Sequence, residues 1–248
     1  MEKLTKDPAD TRQLLTGKES AAVGRRMFMR YVGVTAAAGV ALTSCKDQIV
    51  DPSARGAREG FATVDLGDIG VSDTSILNYA YALEQLEAAF YTQVVMTPYM
   101  NMPEGEMMIL KDIRDHEIVH REFLKAALGR NAIPNLTPDF SMIDFRSRAS
   151  VLGTARQFED IGVSAYNGAA QCIMDAGNLA VAGKIVSVEA RHAAIIATLL
   201  DPRGPEFAGD RIIYPDGREE IRVPVEVLAL VAPFIKETIN GMQVRRKV

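Results

Sequence analysis

Four stretches of the chain repeat apolar residues at alternating intervals of three and four, which is the period of one helix face. They cover about 73–97, 103–128, 147–175 and 178–200. Ser, Thr and Asp stand near the starts of the first and third stretches, and such residues cap helix N-termini. The pattern predicts four helices that share one apolar core.

The connections between these stretches predict how the helices are arranged. The Thr97–Pro103 loop is short, so the first two helices should be antiparallel neighbours. The stretch from Gly129 to Ser147 contains Pro134 and Pro138 and keeps no helical period. A connection of that length is unusual unless it has a structural task. We expect it to cross the bundle lengthwise, so that the third helix runs parallel to the second.

The tail, residues 201–248, has a different pattern. Ile212–Ile221 predicts a small hairpin with Pro215-Asp216-Gly217 at its turn. Pro224–Asn240 predicts a final amphipathic helix, whose apolar face packs either on the bundle or on a second subunit of a homo-oligomer. The predicted fold class is all-α: a four-helix bundle over 73–200, with one long crossover between helices two and three and a C-terminal hairpin and helix.

Ionisable residues interrupt each apolar stripe at its middle, where a core residue is expected. The first and third stretches each carry a lone glutamate seven residues before a tyrosine, and the second and fourth each carry Glu-x-x-His. The spacing between these motifs differs by three residues between the halves (84 to 117 against 159 to 189). The chain therefore contains a weak internal repeat. The ionisable set is Glu84, Glu117, His120, Glu159, Glu189 and His192.

This set indicates a site for two metal ions. A buried carboxylate without a partner costs several kcal/mol, and four at one level of a core would repel one another. Two divalent cations balance four carboxylates, and neutral imidazoles complete the ligand shell. A single Glu-x-x-His is common on a solvated helix face. Two copies in phase with the apolar stripe, each after a glutamate–tyrosine segment, favour metal binding.

The N-terminal region predicts export. Arg25-Arg26, followed by Met-Phe-Met-Arg, resembles a twin-arginine motif, and the apolar stretch Tyr31–Leu42 is shorter than a membrane span and typical of a signal peptide. It ends in Leu-Thr-Ser before Cys45, which resembles a lipobox. We expect a signal peptide over 1–44, lipidation of Cys45, a flexible tether over 45–72 and a membrane-anchored lipoprotein of the bacterial cell envelope. The alternative is a buried N-terminal helix.

Composition narrows the classes of partner. The net charge is −4 and no basic face stands out, which argues against a nucleic-acid partner. Two cysteines in 248 residues do not form a disulfide framework.

The run Leu83–Tyr91 resembles the first-helix motif of exported bacterial ferritin-like domain proteins, some of them named desiccation-related, within the ferritin-like superfamily. The resemblance covers about 73–200 and implies a ferritin-like four-helix bundle with two Fe or two Mn ions. By position it implies lone-helix ligands Glu84 and Glu159, bridging carboxylates Glu117 and Glu189, and terminal nitrogen ligands His120 and His192.

Four further residues lie beside the expected site. Glu87 has Gly162 as its partner in the repeat, so it is a further ligand, a base near the site, or the first-helix ligand in place of the lone glutamate. Tyr91 and Tyr166 either hydrogen-bond ligand carboxylates or are ordinary core aromatics. His116 is expected beside the ligands or at the surface rather than among them.

These features support three hypotheses, and none assigns a catalytic residue. The first is a two-metal oxidoreductase that acts on O2 or peroxide, or oxidises Fe(II). The second is a non-enzymatic envelope protein that protects against drying or oxidative stress, or sequesters metal. The third is an iron store, which needs a closed shell that a lipid-tethered N-terminus fits poorly. The ligand set accepts iron and manganese alike.

Overall fold

The computed structural model of the protein describes residues 61–69, 72–209 and 211–241. Four long helices dominate it: α1 (Asp73–Met96), α2 (Glu104–Leu128), α3 (Arg148–Ala170) and α4 (Ala176–Leu200). The prediction of a mostly helical bundle is confirmed. The expected signal peptide, Cys45 and most of the expected tether lie outside the described residues. Among the helices of the described part, none combines the length and hydropathy needed to cross a membrane.

Polar side chains begin three of the four long helices. The hydroxyls of Ser72 and Ser147 each accept a hydrogen bond from the backbone three residues on, at 3.3 Å. Asp175 does the same for the amide of Asn178 at 2.9 Å. The predicted boundary between helices three and four is therefore wrong, because Asp175 caps α4 instead of ending α3. Gly177 lies inside α4 and is not a stop signal.

The crossover follows α1 from one end of the bundle to the other. Near the start of α1, the amide of Ile133 donates to Asn78 Oδ1 at 2.9 Å. Further along, the amide of Leu136 donates to Gln85 Oε1 at 2.8 Å. Beyond the end of α1, the amide of Met100 donates to a carbonyl at the end of the crossover. The predicted lengthwise crossover is confirmed by these contacts.

Contacts between helix ends fix the direction of α3. Arg148, at the start of α3, pairs with Glu106, at the start of α2, with Nη2 and Oε1 2.6 Å apart. Asp73, at the start of α1, accepts a hydrogen bond from the amide of Met174, just after α3. Helix α3 therefore runs parallel to α2 and antiparallel to α1, as in bundles with a single crossover.

Phenylalanines fill the core beneath the crossover. The Phe90 ring lies 5.9 Å and 6.0 Å, centroid to centroid, from the crossover rings of Phe140 and Phe145. It also lies 5.2 Å from the ring of Phe158 on α3, edge to face. Phe158 in turn contacts Phe234 from the tail at 4.9 Å. These ring contacts, most of them edge to face, tie α1, α3, the crossover and the tail into one apolar core.

The tail differs from its predicted form. Helix α5 covers only Pro224–Val231, a 3-10 turn follows at Ala232–Phe234, and then strand β2 at Thr238–Asn240. Pro233 cannot donate the backbone hydrogen bond that a continuing α-helix needs. The expected hairpin is present in short form: the amide of Glu220 donates to the Ile212 carbonyl and that of Tyr214 to the Arg218 carbonyl, on either side of the predicted turn.

Strand β2 pairs in parallel with strand β1, Thr63–Asp65, which lies in the predicted tether. Leu66 and Ile69 follow β1 and are buried in the core. The folded domain therefore begins earlier than the sequence predicted. One face of α5 packs into the bundle of its own chain, where Val227 and Val231 are almost fully buried, while Val225 and Leu230 are exposed.

Candidate metal centre

The six ionisable side chains of the repeat meet in the middle of the bundle. Helices α1 and α3 each contribute the lone glutamate, and α2 and α4 each contribute Glu-x-x-His, whose two residues share a helix face because they are three apart. The four glutamates are 0% exposed, and both histidines are buried. The members are Glu84, Glu117, His120, Glu159, Glu189 and His192.

The first group of ligand atoms surrounds Nδ1 of His120. This nitrogen lies 2.9 Å from Glu189 Oε1, 3.5 Å from Glu84 Oε2 and 3.5 Å from Glu117 Oε2. The second group surrounds Nδ1 of His192, which lies 2.8 Å from Glu117 Oε1, 3.5 Å from Glu159 Oε2 and 3.9 Å from Glu189 Oε2.

Each group has the composition of a metal site with three carboxylates and one imidazole. One ligand atom from each member lies within 4.8 Å of all the others in its group. Glu117 and Glu189 belong to both groups, and each turns a different oxygen towards each histidine. This is the arrangement in which two carboxylates bridge two ions.

The ligand atoms have no other task in the protein. Among the described residues, ten buried side-chain nitrogen and oxygen atoms have no hydrogen-bond partner, and eight of them belong to these two groups. Buried polar groups are nearly always satisfied in native proteins, so such a cluster requires an explanation. Two cations would satisfy all eight atoms. The atoms are Oε2 of Glu84, both oxygens of Glu117, Oε2 of Glu159, both oxygens of Glu189, and Nδ1 of His120 and His192.

Without a cation, three of the four carboxyl groups of the site favour the protonated form more than an ordinary glutamate does. Burial raises the pKa of Glu84 to about 7, against the opposing effect of His120. Burial and the charges of Glu117 and Glu84 raise the pKa of Glu189 well above its usual value. Burial also raises the pKa of Glu159, against the opposing effect of His192.

Glu117 behaves differently because it lies between both imidazoles. Burial alone would raise the pKa of Glu117, but His120 and His192 outweigh it and lower this pKa to about 2. Burial would likewise lower the pKa of His192, but Glu117 and Glu159 outweigh it and raise this pKa to about 11. Protons therefore occupy the region when no metal does, and a metal ion must displace them.

Two tyrosines hold the lone glutamates in place. Tyr91 on α1 donates a hydrogen bond to Glu159 Oε1 on α3 at 2.5 Å, and Tyr166 on α3 donates to Glu84 Oε1 on α1 at 2.6 Å. Each tyrosine thus orients the glutamate of the other half and leaves its Oε2 directed into the site. Of the two roles expected for these tyrosines, the geometry supports contact with ligand carboxylates.

His116 contacts the site from the solvent side and belongs to neither ligand group. Its Nδ1 lies 2.9 Å from Nε2 of His192, the nitrogen that faces away from the carboxylates, and the two rings are stacked. Burial lowers the pKa of His116, as do the charges of His192 and His120. The matching residue of the repeat, Val188, cannot make this contact, so only one half has it.

Glu87 lies beside the centre but outside both ligand groups. The absent side chain of Gly162 leaves room for it: a Cβ on this glycine would lie 3.1 Å from Glu87 Oε1 and 3.5 Å from Glu189 Oε2. Burial and the charge of Glu189 raise the pKa of Glu87 well above its usual value. The geometry favours Glu84, and not Glu87, as the contribution of α1 to the ligand groups.

A four-helix bundle with one crossover and this carboxylate–imidazole centre defines the class of ferritin-like proteins. Residues 72–202 match the family model for the ferritin-like domain, and the chain belongs to this family. No curated protein matches the sequence closely enough to count as a relative.

Proposed function

We propose that the protein binds two Fe or two Mn ions in a carboxylate-bridged centre and uses this centre to oxidise Fe(II) or to react with O2 or peroxide. The observation that carries the proposal is the set of eight buried, unpartnered ligand atoms, which converge in two groups with two shared carboxylates. Oxygen and imidazole ligands suit both metals.

The residues of the chain have separate tasks in this proposal. Glu84 and Glu159 would each hold one ion, while Glu117 and Glu189 would contact both. Two adjacent ions that change oxidation state would supply the electrons. Because the four glutamates are fully buried, bulk water is kept away from the centre. The exposed His116 ring, in contact with His192 Nε2, would hold a proton at the solvent edge of the site.

The balanced reactions define what must be measured. With dioxygen, two Fe(II), one O2 and two protons give two Fe(III) and one H2O2. With peroxide, two Fe(II), one H2O2 and two protons give two Fe(III) and two water molecules. Both reactions oxidise two Fe(II) per molecule of oxidant, so the product distinguishes them: H2O2 is formed with dioxygen and only water with peroxide.

The test uses protein stripped of metal with a chelator and then titrated with Fe(II) or Mn(II) in the absence of oxygen. We expect two ions per chain, followed by Fe(II) oxidation when O2 or peroxide is added. His120→Ala should bind fewer ions and lose turnover. Glu122→Ala, an exposed carboxylate on the same helix that pairs with Arg121, is the matched control and should change neither. Two ions with unchanged affinity in His120→Ala would refute the ligand assignment.

Sequestration or protection without catalysis is the second candidate, because such deep burial also suits long retention of an ion. The same titration separates the two functions. Two ions bound without consumption of either oxidant would favour sequestration. Protein that binds no metal and stays folded in chelator would favour a protective role.

We also infer export and lipid anchoring from Arg25-Arg26, the apolar stretch Tyr31–Leu42 and Cys45, which together have the order of a twin-arginine lipoprotein signal. Cys45→Ala should move the protein from the membrane fraction to the soluble fraction of a bacterial host, with Cys172→Ala as control. Retention of Cys45→Ala in the membrane fraction would contradict lipidation at this residue.

A further inference from the structure

A cavity lies one core layer from the carboxylates, at the end of the bundle where α1 and α4 begin and α2 and α3 end. Its volume is about 60 Å³, and its walls are almost entirely apolar. Ala80, Leu124 and Ile185 line it, and each lies four residues along its helix from Glu84, His120 or Glu189 respectively. We call it the alanine cavity.

The internal repeat explains why space exists at this end. When the halves are aligned on their lone glutamates and Glu-x-x-His motifs, three lining positions carry alanine where the other half carries a larger side chain. Val94 and Leu110 at two of those matching positions are almost fully buried. The core of the other end is thus filled by side chains that this end lacks. The pairs are Ala127 against Leu199, Ala169 against Val94, and Ala182 against Leu110.

One polar group at the cavity has no partner. Tyr79 lines the cavity and is 1% exposed, yet its hydroxyl makes no hydrogen bond. Burying a hydroxyl without a partner costs free energy, which an occupant with one hydrogen-bonding atom would recover. The other polar side chains of the lining already have partners: Tyr166 donates to Glu84, and the Asn178 amide donates to Asp73.

Size and polarity together define the occupant. The volume exceeds the roughly 30 Å³ that a water molecule takes in the liquid and is well below the roughly 150 Å³ of a cavity known to take up benzene. Ordered water needs two to four polar partners, and this lining offers one free hydroxyl. A short aliphatic molecule with one polar atom matches both the size and the walls.

We propose that the alanine cavity binds a small aliphatic molecule that carries a single hydroxyl or carbonyl oxygen, with Tyr79 as the residue that recognises this oxygen. Phe123, on the cavity wall, is 41% exposed, so the wall reaches the surface at α2. The ligand lies against Tyr166, which holds Glu84, and so occupies the layer next to the ion centre. The inference goes beyond the proposed oxidation chemistry and does not require it.

The test is a titration of the full-length, metal-loaded protein with methanol and ethanol, followed by amide NMR shifts. We expect saturable shifts in residues that line the cavity. Tyr79→Phe should weaken binding about 2- to 12-fold, the net value of one hydrogen bond. Tyr81→Phe is the matched control, because Tyr81 is equally buried on the same helix and its hydroxyl contacts Asn135 outside the cavity. It should leave alcohol binding unchanged.

Two filling variants test the location of the site independently. Ala182→Leu introduces the residue that the other half carries at this position, and Ala169→Val does the same in a smaller step. Each should weaken alcohol binding more than Tyr79→Phe does, while helicity and the number of bound ions stay unchanged. Ala169→Val keeps the test available if Ala182→Leu does not fold.

Three results would overturn the proposal: absence of saturable alcohol binding, alcohol binding that neither filling variant reduces, or binding that Tyr79→Phe leaves intact. Uptake of xenon without uptake of alcohol would also overturn it, since the cavity would then accept apolar atoms only. Because alcohol binding is measured without turnover, loss of Fe(II) oxidation in the same samples would count against the proposed function alone.

Discussion

The α1–α2 hairpin and the α3–α4 hairpin are alike at one level of the bundle and different on either side of it. At the carboxylate level the halves correspond residue for residue: each gives a lone glutamate, a Glu-x-x-His and a tyrosine that crosses to the other half. Outside that level, Glu87 faces Gly162 and His116 corresponds to Val188. Charge balance around two ions constrains a single layer, and neighbouring layers need only be well packed.

The largest expected effect is on the number of ions bound per chain. It distinguishes carboxylates that belong to both ligand groups from those that belong to one. Glu117→Ala or Glu189→Ala removes a carboxylate that belongs to both groups, so ions per chain should fall from two to none. Glu84→Ala or Glu159→Ala removes a ligand of one group only, and one ion should remain. Elemental analysis after equilibration with Mn(II) gives the count. If Glu84→Ala loses as many ions as Glu189→Ala, the two-group description is wrong.

The second effect concerns the two ends of the core. Leu110→Ala should destabilise the metal-free protein by about 2–5 kcal/mol, since it opens a cavity in a filled layer. Its counterpart, Ala182→Leu, adds the same side chain where space exists and should not reduce the unfolding free energy. Urea unfolding of both variants in chelator measures the difference. Equal losses in both would contradict the claim that the ends are packed differently.

The sequence predicted the parts of the fold that depend on periodicity and composition. Helices α1 and α2, the crossover and the inward direction of the six site residues follow from apolar spacing and from glutamates placed within it. The end of α3 and the start of α4 were misplaced because the helical pattern continues to Asp175, and the sequence alone does not show that this residue caps α4 instead of ending α3. Strand β1 was missed because its partner, β2, lies about 175 residues later in the chain.

The alanine cavity was also missed, although its signal is in the sequence. The difference in size between Ala182 and the matching Leu110 can be read once the halves are aligned. A single alanine in a helix, however, does not by itself indicate a cavity. Tyr79 was missed because a tyrosine within an apolar stripe is ordinary, and only the structure shows that its hydroxyl has no partner.

The third prediction is that the stability of the metal-free protein depends on pH. The dependence arises in the layer of carboxylates, where both halves contribute the same residue types. Without metal, Glu84 has its pKa raised from 4.5 to about 7 and His192 from 6.5 to about 11. The folded state then holds more protons than the unfolded state above about pH 4.5, so stability should fall as pH rises. Glu117, with its pKa lowered to about 2, acts oppositely between pH 2 and 4.5.

The metal-free protein should therefore be most stable near pH 4.5–5, and metal affinity should rise with pH because ions displace the bound protons. Urea unfolding between pH 4 and 8, with chelator and with Mn(II), measures both trends. A metal-free protein that gains stability from pH 5 to 8 would show that the buried carboxylates are not the protonated groups.

The fourth prediction concerns the two tyrosines that each donate a hydrogen bond to the lone glutamate of the other half. Tyr91→Phe removes the hydrogen bond to Glu159, and Tyr166→Phe removes the one to Glu84. Each variant should lower the affinity for one of the two ions by about tenfold. This is the lower end of the loss seen when a residue that supports a metal ligand is removed. Tyr91→Phe should affect the ion beside His192, and Tyr166→Phe the ion beside His120. A calorimetric titration that resolves two ions tests this, and equal weakening of both ions in either variant would contradict it.

The smallest expected effect on metal affinity comes from the contact between His116 and His192, which has no counterpart in the other half. His116→Ala should change metal affinity by less than about threefold, because water can take the place of an exposed imidazole at His192 Nε2. Fe(II) oxidation should slow more than binding weakens, since the proposed proton-holding group at the edge of the site is lost while the ligands stay. Val188→Ala, the same position in the other half, should alter neither. If His116→Ala lowers affinity and turnover in equal proportion, His116 only orients His192, and both halves handle protons alike.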